Sequence, residues 1–224
     1  MTRIIAGEAG GRRLRTPPGS ATRPTADRVR EALFSTLESL RGSLYGCRFL
    51  DAYAGSGAIG LEARSRGAAT VTLVEKDRPT AALIRANAKE LGMAGVRVLA
   101  VPIERFAAEP TVGDLPFDVA FFDPPYDVPN DDLARAIRAL ERGGRLAGDA
   151  LLVVERARSG EAWRWPAGLE TLSEKRYGGT VLCYGQRDVR ADSAHRDDDQ
   201  KTGAGKGSDP LRHDHLTDTE AKEP

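Results

Sequence analysis

The chain has little of what several large classes of protein require. Only two of its 224 residues are cysteines, Cys47 and Cys183, which stand far apart within apolar segments and lack the spacing of metal ligands. We expect both to be buried thiols in a reducing compartment, and we expect no metal site. No apolar run approaches the ~20 residues of a membrane-spanning helix, and the first residues lack the apolar core of a secretion signal. The sequence therefore predicts a cytoplasmic protein that does not enter a membrane.

Histidine is scarce too, and its position matters more than its number. His195, His213 and His215 all lie in residues 188–224, a polar segment with 10 acidic and 6 basic residues, few large apolar side chains and no periodicity. Such a composition cannot bury enough apolar surface to offset the entropy of ordering, so we predict a disordered tail. The rest of the chain offers no imidazole, which excludes Ser-His-Asp and Cys-His hydrolysis.

The formal net charge of zero conceals a basic beginning. Residues 1–30 contain seven arginines but only two acidic residues. Glycines between the short apolar pieces Ile4-Ile5 and Leu14 predict a hairpin, so we expect residues 1–20 to form a basic hairpin or arm. Arginine pairs with phosphate and stacks on bases, which favours an RNA partner. The predicted RNA-binding residues are Arg3, Arg12, Arg13, Arg15 and Arg28.

Residues 21–187 show a strand, a turn and a helix in repeated succession. Apolar residues at helical spacing predict a first helix that Thr25 caps and Gly42 ends. Strands then alternate with helices of roughly 10–15 residues, which predicts an α/β fold with a mostly parallel sheet covered by helices on both faces. The last strand, TVLCYGQR at 180–187, follows the strand ALLVVERA after a loop with no convincing helix. We therefore expect this last strand to run antiparallel.

A glycine-rich turn follows the first of these strands. In DAYAGSGAIG, the spacing Gly55-x-Gly57-x-x-Gly60 lies between a strand and a helix, where backbone can approach a ligand closely. Glu75, at the end of the second strand, can accept hydrogen bonds from both hydroxyls of a ribose. These features indicate an adenosine-containing cofactor, either NAD or S-adenosylmethionine. Asp51, at the tip of the first strand, would repel a pyrophosphate and suits an ammonium group, which favours S-adenosylmethionine.

The segment FDVAFFDPPYDVP at 117–129 carries the chemistry. It is an apolar strand that ends on an acid, two prolines and an aromatic residue; the prolines remove two backbone donors and keep the chain extended. Asp123 and the carbonyl of Pro124 can each accept a hydrogen bond from a conjugated amine, which frees the nitrogen lone pair to attack a methyl group. Tyr126 offers a flat face for a planar substrate. This scheme relies on positioning and electrostatics and needs no histidine.

These stretches together resemble one family. Asp-Pro-Pro-Tyr after the fourth strand is typical of class I S-adenosylmethionine-dependent methyltransferases that modify amino nitrogens. Over roughly residues 2–187 the chain is similar to the bacterial 16S ribosomal RNA guanine-N2 methyltransferases of the RsmD type, in RIIAGEAGGRRLRTP, RPTADRVREALFSTL, FLDAYAGSGAIGLEARSRGA, VEKD and FDPPY. The resemblance implies a Rossmann-like class I methyltransferase fold and S-adenosylmethionine as cofactor. It also implies methylation of N2 of one guanine, guanine 966 in the family's conventional numbering.

The resemblance also assigns residues and partners. Ile103 matches the position that binds adenine; because the neighbouring Pro102 has no polar side chain, Glu104 or backbone groups would make the polar contacts. The Thr-Arg-Pro-Thr box at 22–25 matches a segment that closes over the cofactor. The implied partner of the monomer is 16S rRNA in an assembling or assembled 30S subunit. The predicted cofactor-binding residues are Thr22, Arg23, Asp51, Tyr53, Gly55, Ser56, Gly57, Glu75, Lys76, Ile103 and Glu104, and the predicted catalytic residues are Asp123, Pro124, Pro125 and Tyr126.

Other functions stay open on the residues alone. The acid-proline box also serves DNA adenine-N6 and protein-glutamine methyltransferases. The glycine motif is compatible with a nicotinamide-dependent oxidoreductase, although no histidine outside the tail is available as a proton donor. A methyltransferase scaffold that binds RNA without catalysis is the fourth alternative. We expect three segments: the hairpin at 1–20, a methyltransferase domain at 21–187 and the tail at 188–224.

Overall fold

The computed structural model describes residues 2–17, 24–109 and 115–187. The predicted tail at 188–224 lies outside these ranges, and so do the predicted cofactor residues Thr22 and Arg23. None of the described helices is long and apolar enough to cross a membrane.

The described residues form nine strands and five helices. The strands are β1 (Thr2–Arg3), β2 (Arg13–Leu14), β3 (Arg48–Asp51), β4 (Thr70–Val74), β5 (Val96–Leu99), β6 (Phe117–Phe122), β7 (Leu146–Ala157), β8 (Leu169–Tyr177) and β9 (Thr180–Arg187). The helices are α1 (Pro24–Arg41), α2 (Ala58–Ser65), α3 (Arg78–Glu90), α4 (Ile103–Ala108) and α5 (Asn130–Arg142). Because α1 begins at Pro24, Thr25 lies inside the helix and the predicted cap is wrong. Gly42, with φ of 87°, follows the helix as predicted.

Seven strands form one sheet in the order β5-β4-β3-β6-β7-β9-β8. The ladders that join β3, β4, β5, β6 and β7 are all parallel. β9 pairs antiparallel with β7, as predicted for the last strand. The predicted mostly parallel α/β sheet is therefore confirmed.

One strand of the sheet was missed by the sequence analysis. β8, which pairs antiparallel with β9, occupies the segment that we expected to be a loop. Its sequence, LETLSEKRY, is mostly polar, and most of its residues are at least partly exposed. Edge strands carry such charges because a flat apolar edge would pair with other chains. A polar edge strand lacks the apolar run that identifies a buried strand.

Two apolar clusters cover the two faces of the sheet. On one face, Phe34 of α1 and Ile84 of α3 pack with Phe121 of β6. On the other face, Phe106 of α4 and Ile137 of α5 pack with sheet residues that alternate with the first set. This alternation is the period of two expected for strands that are buried on both sides. The helices thus cover both faces, as predicted.

The N-terminal hairpin exists as predicted, but it packs on the sheet domain and is not a free arm. Strands β1 and β2 pair antiparallel, and Ile4 and Leu14 pack against Leu61 of α2. The buried carboxylate of Glu62 accepts hydrogen bonds from the backbone N–H groups of residues 5 and 6, at 2.6 and 3.0 Å. A buried acid on α2 therefore fixes the hairpin in place.

Both cysteines are buried and unpaired, as predicted. Burial raises the pKa of the Cys47 thiol to about 11, and it does the same for Cys183. Both thiols therefore stay protonated and unreactive at neutral pH.

Candidate active site

Three acidic residues lie at one edge of the sheet. Asp51 ends β3, Glu75 follows β4, and Asp123 follows β6. Because these three strands are parallel neighbours, their carboxyl ends meet at the same edge. In open α/β sheets this edge is where ligands bind. The topology therefore brings together acids that are up to 72 positions apart in the sequence.

The glycine turn between β3 and α2 is shaped by close packing. Gly57 caps α2 with φ of 79°, a left-handed conformation that side chains rarely adopt. A Cβ at Gly60 would lie 2.7 Å from Cδ2 of Leu73, so this glycine lets α2 approach β4. Gly55 also has a positive φ, of 51°, but open space surrounds it. The first glycine of the motif thus exposes backbone to a ligand, while the later two serve the turn and the packing.

Glu75 links the glycine turn to the start of α3. Its Oε2 accepts a hydrogen bond from the N–H of Gly55 at 2.9 Å, and its Oε1 accepts one from the N–H of Asp77 at 2.8 Å. Each carboxylate oxygen can accept a second hydrogen bond. Glu75 is thus oriented by the backbone and still has acceptor capacity for two ribose hydroxyls.

Asp51 is deeply buried, with 1 % of its surface exposed. Its Oδ2 accepts a hydrogen bond from the N–H of Gly60 at 2.9 Å, whereas its buried Oδ1 has no hydrogen-bond partner among the described residues. Burial raises the pKa of Asp51 to about 7. A buried carboxylate oxygen without a donor suits a cationic ammonium group, and this observation agrees with the methionine end of S-adenosylmethionine.

The Asp-Pro-Pro-Tyr turn follows β6 directly, since the strand ends at Phe122 as the sequence predicted. Asp123 lines the open cavity and is solvent-exposed there; desolvation by the cavity walls raises its pKa to about 6, while the positive charge of Arg156 opposes the shift. Tyr126 is 76 % exposed, so its ring is available for stacking. Nη2 of Arg156 donates a hydrogen bond to the carbonyl of Val128 at 2.8 Å. This contact anchors the turn to β7.

Most of the predicted site residues line one cavity of about 410 Å³. The glycine turn contributes to its wall through Gly55, and the Asp-Pro-Pro-Tyr turn forms the opposite wall. Asp51, Ser56 and Gly57 do not line the cavity; Asp51 and Gly57 are buried, and Ser56 is half-buried. The predicted residues that line it are Tyr53, Gly55, Glu75, Lys76, Ile103, Glu104, Asp123, Pro124, Pro125 and Tyr126.

The adenine end of the predicted site is apolar with one acid. Ile103 and Glu104 open α4, and Pro102 stands immediately before them at the cavity wall. The hydroxyl of Tyr53 is buried without a hydrogen-bond partner among the described residues. Burial raises the pKa of Tyr53, and the negative charge of Glu104 adds to the effect. Ile103 thus offers an apolar contact to an adenine ring, and Glu104 and Tyr53 supply polar groups beside it.

A larger concavity, of about 890 Å³, lies at the opposite edge of the sheet. It opens at the amino ends of the parallel strands, where Arg48 donates two hydrogen bonds to the carboxylate of Asp118, at 2.9 and 2.6 Å. None of the predicted site residues lines it. We therefore place the candidate site in the smaller cavity.

Two residues near the site were missed by the sequence analysis. Glu155 and Arg156 lie at the carboxyl end of β7, next to the strand that carries Asp123. The signal was present, because both are charged residues at the end of the apolar run ALLVV. It could not be used without the strand order, which places β7 beside β6.

The predicted RNA-binding arginines have different neighbours in the fold. Nη2 of Arg12 donates to the carbonyl of Glu90 at 2.8 Å, and Arg15 forms an ion pair with the Glu90 carboxylate at 2.8 Å. Glu90 ends α3, whereas the cavity lies at the beginning of that helix. Arg3 lies 3.9 Å from Asp27, and Arg13 and Arg28 are exposed. Arg12 and Arg15 thus lie at the end of α3 that is remote from the cavity.

Known proteins resemble this chain over most of its length. The family model described as Conserved hypothetical protein 95 matches residues 2–186. The chain belongs to this family. It is 36% identical over 191 residues to Ribosomal RNA small subunit methyltransferase D of Escherichia coli K12, covering 85% of this chain and 92% of that protein. It is also 36% identical over 156 residues to the protein of the same name from Haemophilus influenzae, covering 68% of this chain and 77% of that one. The family resemblance seen in the sequence is confirmed.

Two solved structures illustrate the likeness in fold. A hypothetical protein from Thermus thermophilus aligns with a TM-score of 0.68 at 33% identity, covering 83% of this chain and 99% of that one. Magnesium protoporphyrin IX methyltransferase from Synechocystis, solved with bound S-adenosylmethionine, aligns with a TM-score of 0.57 at 15% identity, covering 76% and 87% of the two chains. This second likeness concerns the fold alone. The predicted Rossmann-like class I methyltransferase fold is confirmed.

Proposed function

We propose that this chain is an S-adenosylmethionine-dependent methyltransferase that modifies the exocyclic N2 of one guanine in 16S rRNA, guanine 966 in the family's conventional numbering. The observation that carries the proposal is the Asp123 carboxylate, which opens into the same cavity as Glu75 and Tyr126. The names of the Escherichia coli and Haemophilus influenzae relatives support small-subunit rRNA as the substrate. The substrate is the assembling or assembled small subunit, and the enzyme acts in the cytoplasm as a monomer.

The cavity residues, together with the buried Asp51 next to the cavity-lining Ala52, fit the cofactor at both of its ends. Bound S-adenosylmethionine would supply an electrophilic methyl group on a sulfonium. Glu75 would accept hydrogen bonds from the ribose hydroxyls, and Ile103 would contact adenine. Asp51 would accept a hydrogen bond from the ammonium through its buried Oδ1, which lacks a donor among the described residues. The same acid would repel a pyrophosphate, so the alternative of a nicotinamide cofactor is disfavoured.

The Asp-Pro-Pro-Tyr turn prepares the amine for reaction. The lone pair of an exocyclic guanine nitrogen is delocalised into the base, so the free amine is a weak nucleophile. Asp123 and the carbonyl of Pro124 accept its two N–H groups, which favours a pyramidal nitrogen with its lone pair available. Tyr126, with most of its ring exposed, stacks on a base that has left its helix. Catalysis thus arises from positioning and preorganised acceptors.

The test is methyl transfer from labelled S-adenosylmethionine to three substrates. These are small ribosomal subunits from a strain that lacks the enzyme, naked DNA, and a peptide release factor. Digestion of the RNA and mass spectrometry of its nucleosides should show N2-methylguanosine only when subunits and enzyme are combined. Label in DNA as N6-methyladenine, or in the release factor as methylglutamine, would replace this proposal by one of the alternatives. No label in any substrate would favour a binding protein without catalysis.

A further inference from the structure

A second carboxyl group stands beside Asp123 in the sheet. In the parallel ladder between β6 and β7, Phe121 pairs with Val153 and Phe122 pairs with Val154. The next residues of the two segments are Asp123 and Glu155. Neighbouring strands lie about 4.8 Å apart, so two carboxyl groups in register can contact each other directly.

The two side chains also leave the sheet on the same face. Phe121 and Val153 belong to one apolar cluster, whereas Phe122 and Val154 belong to the cluster on the other face. Successive residues of a strand alternate between faces, so residues 123 and 155 return to the face of Phe121 and Val153. Pro124 keeps the preceding residue extended, which preserves this alternation at the end of β6.

The surroundings of this pair favour one shared proton. Burial and the negative charge of Asp123 together raise the pKa of Glu155 to about 8, while a hydrogen bond with Thr180 opposes the shift. Asp123 has the lower pKa of the two, because Arg156 opposes the effect of its desolvation. Two carboxyl groups that share a site ionise in two separate steps, because two like charges repel each other. At neutral pH we therefore expect the pair in register to carry one negative charge on Asp123 and one proton on Glu155.

Among the residues that the structure describes, no cation lies close enough to Glu155 to lower its pKa. The ammonium of Lys175 donates to Oγ1 of Thr36 at 3.1 Å, and its strand position is separated from Glu155 by Leu182 of β9. Burial raises the pKa of the Tyr184 hydroxyl on β9, and a negative charge on Glu155 would add to this effect. Tyr184 is therefore uncharged at neutral pH. The titratable or polar groups on the packed strands include Asp51 on β3, Asp123 after β6, Arg156 on β7, Lys175 on β8, and Thr180 and Tyr184 on β9.

We propose that Glu155 is a positioning residue that pairs with Asp123 as a neutral carboxylic acid and donates its O–H to the Asp123 carboxylate. The donated hydrogen bond fixes the Asp123 side chain, so that its other lone pairs face the substrate amine. The inference rests on the proposed function, in which Asp123 binds that amine. When Glu155 loses its proton at alkaline pH, two negative charges repel each other and Asp123 is displaced.

The first test measures the titration of Glu155 directly and does not require methyl transfer. The full chain is labelled with ¹³C at the glutamate side-chain carboxyls and titrated by NMR, and the Glu155 signal is assigned by its loss in Glu155→Gln. We expect a Glu155 midpoint far above that of an ordinary glutamate, and we expect Asp123→Asn to move it back toward the ordinary value. An ordinary midpoint in the wild type, or a raised midpoint that Asp123→Asn leaves in place, would overturn the pairing. This readout does not depend on which substrate is methylated.

The second test is the pH dependence of kcat/KM with the substrate identified above. The wild type should lose activity above about pH 8, because Glu155 then ionises. Glu155→Gln keeps an N–H donor and should lack this alkaline fall, whereas Glu155→Ala should be about tenfold slower at every pH. The control Glu174→Gln, on β8, should keep the wild-type profile. An alkaline fall that persists in Glu155→Gln, or equal activity of the Gln and Ala variants, would refute the positioning role. If no variant or wild type methylates RNA, the proposed function fails while the NMR result stands.

Discussion

Replacing Glu62 by alanine should unfold or loosen the protein far more than replacing any surface acid. Glu62 is fully buried, and its carboxylate accepts hydrogen bonds from the N–H groups of Ile5 and Ala6 and from Nε of Arg66. Nε of Arg30, also buried, lies 3.9 Å away. Burial lowers the pKa of Arg30, and the negative charges of Asp27 and Glu62 oppose this effect. One carboxylate thus connects the hairpin, α1 and α2.

The loss in free energy of unfolding can be estimated from the groups that lose their partner in Glu62→Ala. Removing one partner of a buried ion pair costs about 3–5 kcal/mol, because the other charge stays buried without compensation. Two backbone N–H groups of the hairpin also lose their acceptor, and each costs about 1–3 kcal/mol if it stays buried. Detachment of the hairpin would limit the total, since its donors could then reach water. We therefore expect Glu62→Ala to reduce the free energy of unfolding by about 3–5 kcal/mol, a large part of the stability of an ordinary domain.

Urea denaturation followed by circular dichroism measures this loss, and limited trypsin digestion reports the hairpin. Cleavage after Arg12 and Arg13 should accelerate in Glu62→Ala. Glu8→Ala is the matched control, because Glu8 is 67% exposed and only approaches Arg64 at 3.6 Å, so its change should stay within about 0.5 kcal/mol. A loss below about 1 kcal/mol in Glu62→Ala, with unchanged trypsin cleavage, would refute the reasoning.

Three further predictions concern the hairpin, the cofactor and the RNA. Gly7→Ala should destabilise the chain by at least about 2 kcal/mol in urea denaturation, because a Cβ there would lie 1.9 Å from the carbonyl oxygen of Ser65 and φ is 81°; an unchanged midpoint would show that the hairpin adjusts. The affinity for S-adenosylmethionine, measured by calorimetry, should rise with pH up to about 7, because Asp51 ionises in this range and only its ionised form pairs with an ammonium group. Asp51→Asn should remove this pH dependence, and an equal slope in the variant would exclude Asp51 as the partner of the ammonium. Arg12, Arg13 and Arg15 should be replaced together by alanine, and the affinity for small-subunit RNA measured by filter binding at several salt concentrations. The affinity of this variant should depend less steeply on salt than that of the wild type, and an unchanged dependence would exclude phosphate contacts by these arginines.

Much of the fold could be predicted because its signals are local. The apolar runs of β3, β4 and β6 and the glycine turn after β3 lie in short continuous stretches of sequence. β8 could not be identified in this way, since an exposed edge strand has no apolar run to mark it. The docking of the hairpin depends on Glu62, which lies more than 50 positions away from the N–H groups that it binds. A buried acid within an amphipathic helix looks like a solvated one until its partners are known.

The candidate site could also be predicted from the sequence only in part. Glu75 and Asp123 were found because each follows an apolar strand directly, and parallel strands bring such positions to one edge. The roles of the glycines could not be separated, since the sequence does not show that Gly60 meets Leu73 while Gly55 faces open space. Glu155 was missed because its relation to Asp123 depends on strand register. Strand register is a property of the assembled sheet and cannot be deduced from the sequence of either strand alone.

The central claim is that Asp123 acts on the amine and not on the cofactor. Its most direct test compares wild type with Asp123→Ala in two measurements: the Kd for S-adenosylmethionine by calorimetry, and the rate of a single turnover on small subunits that lack the modification. We expect a Kd within about fivefold of wild type and a rate lower by at least about a hundredfold. A variant that still methylates at a similar rate, or one that loses cofactor affinity in proportion to its rate, would contradict it.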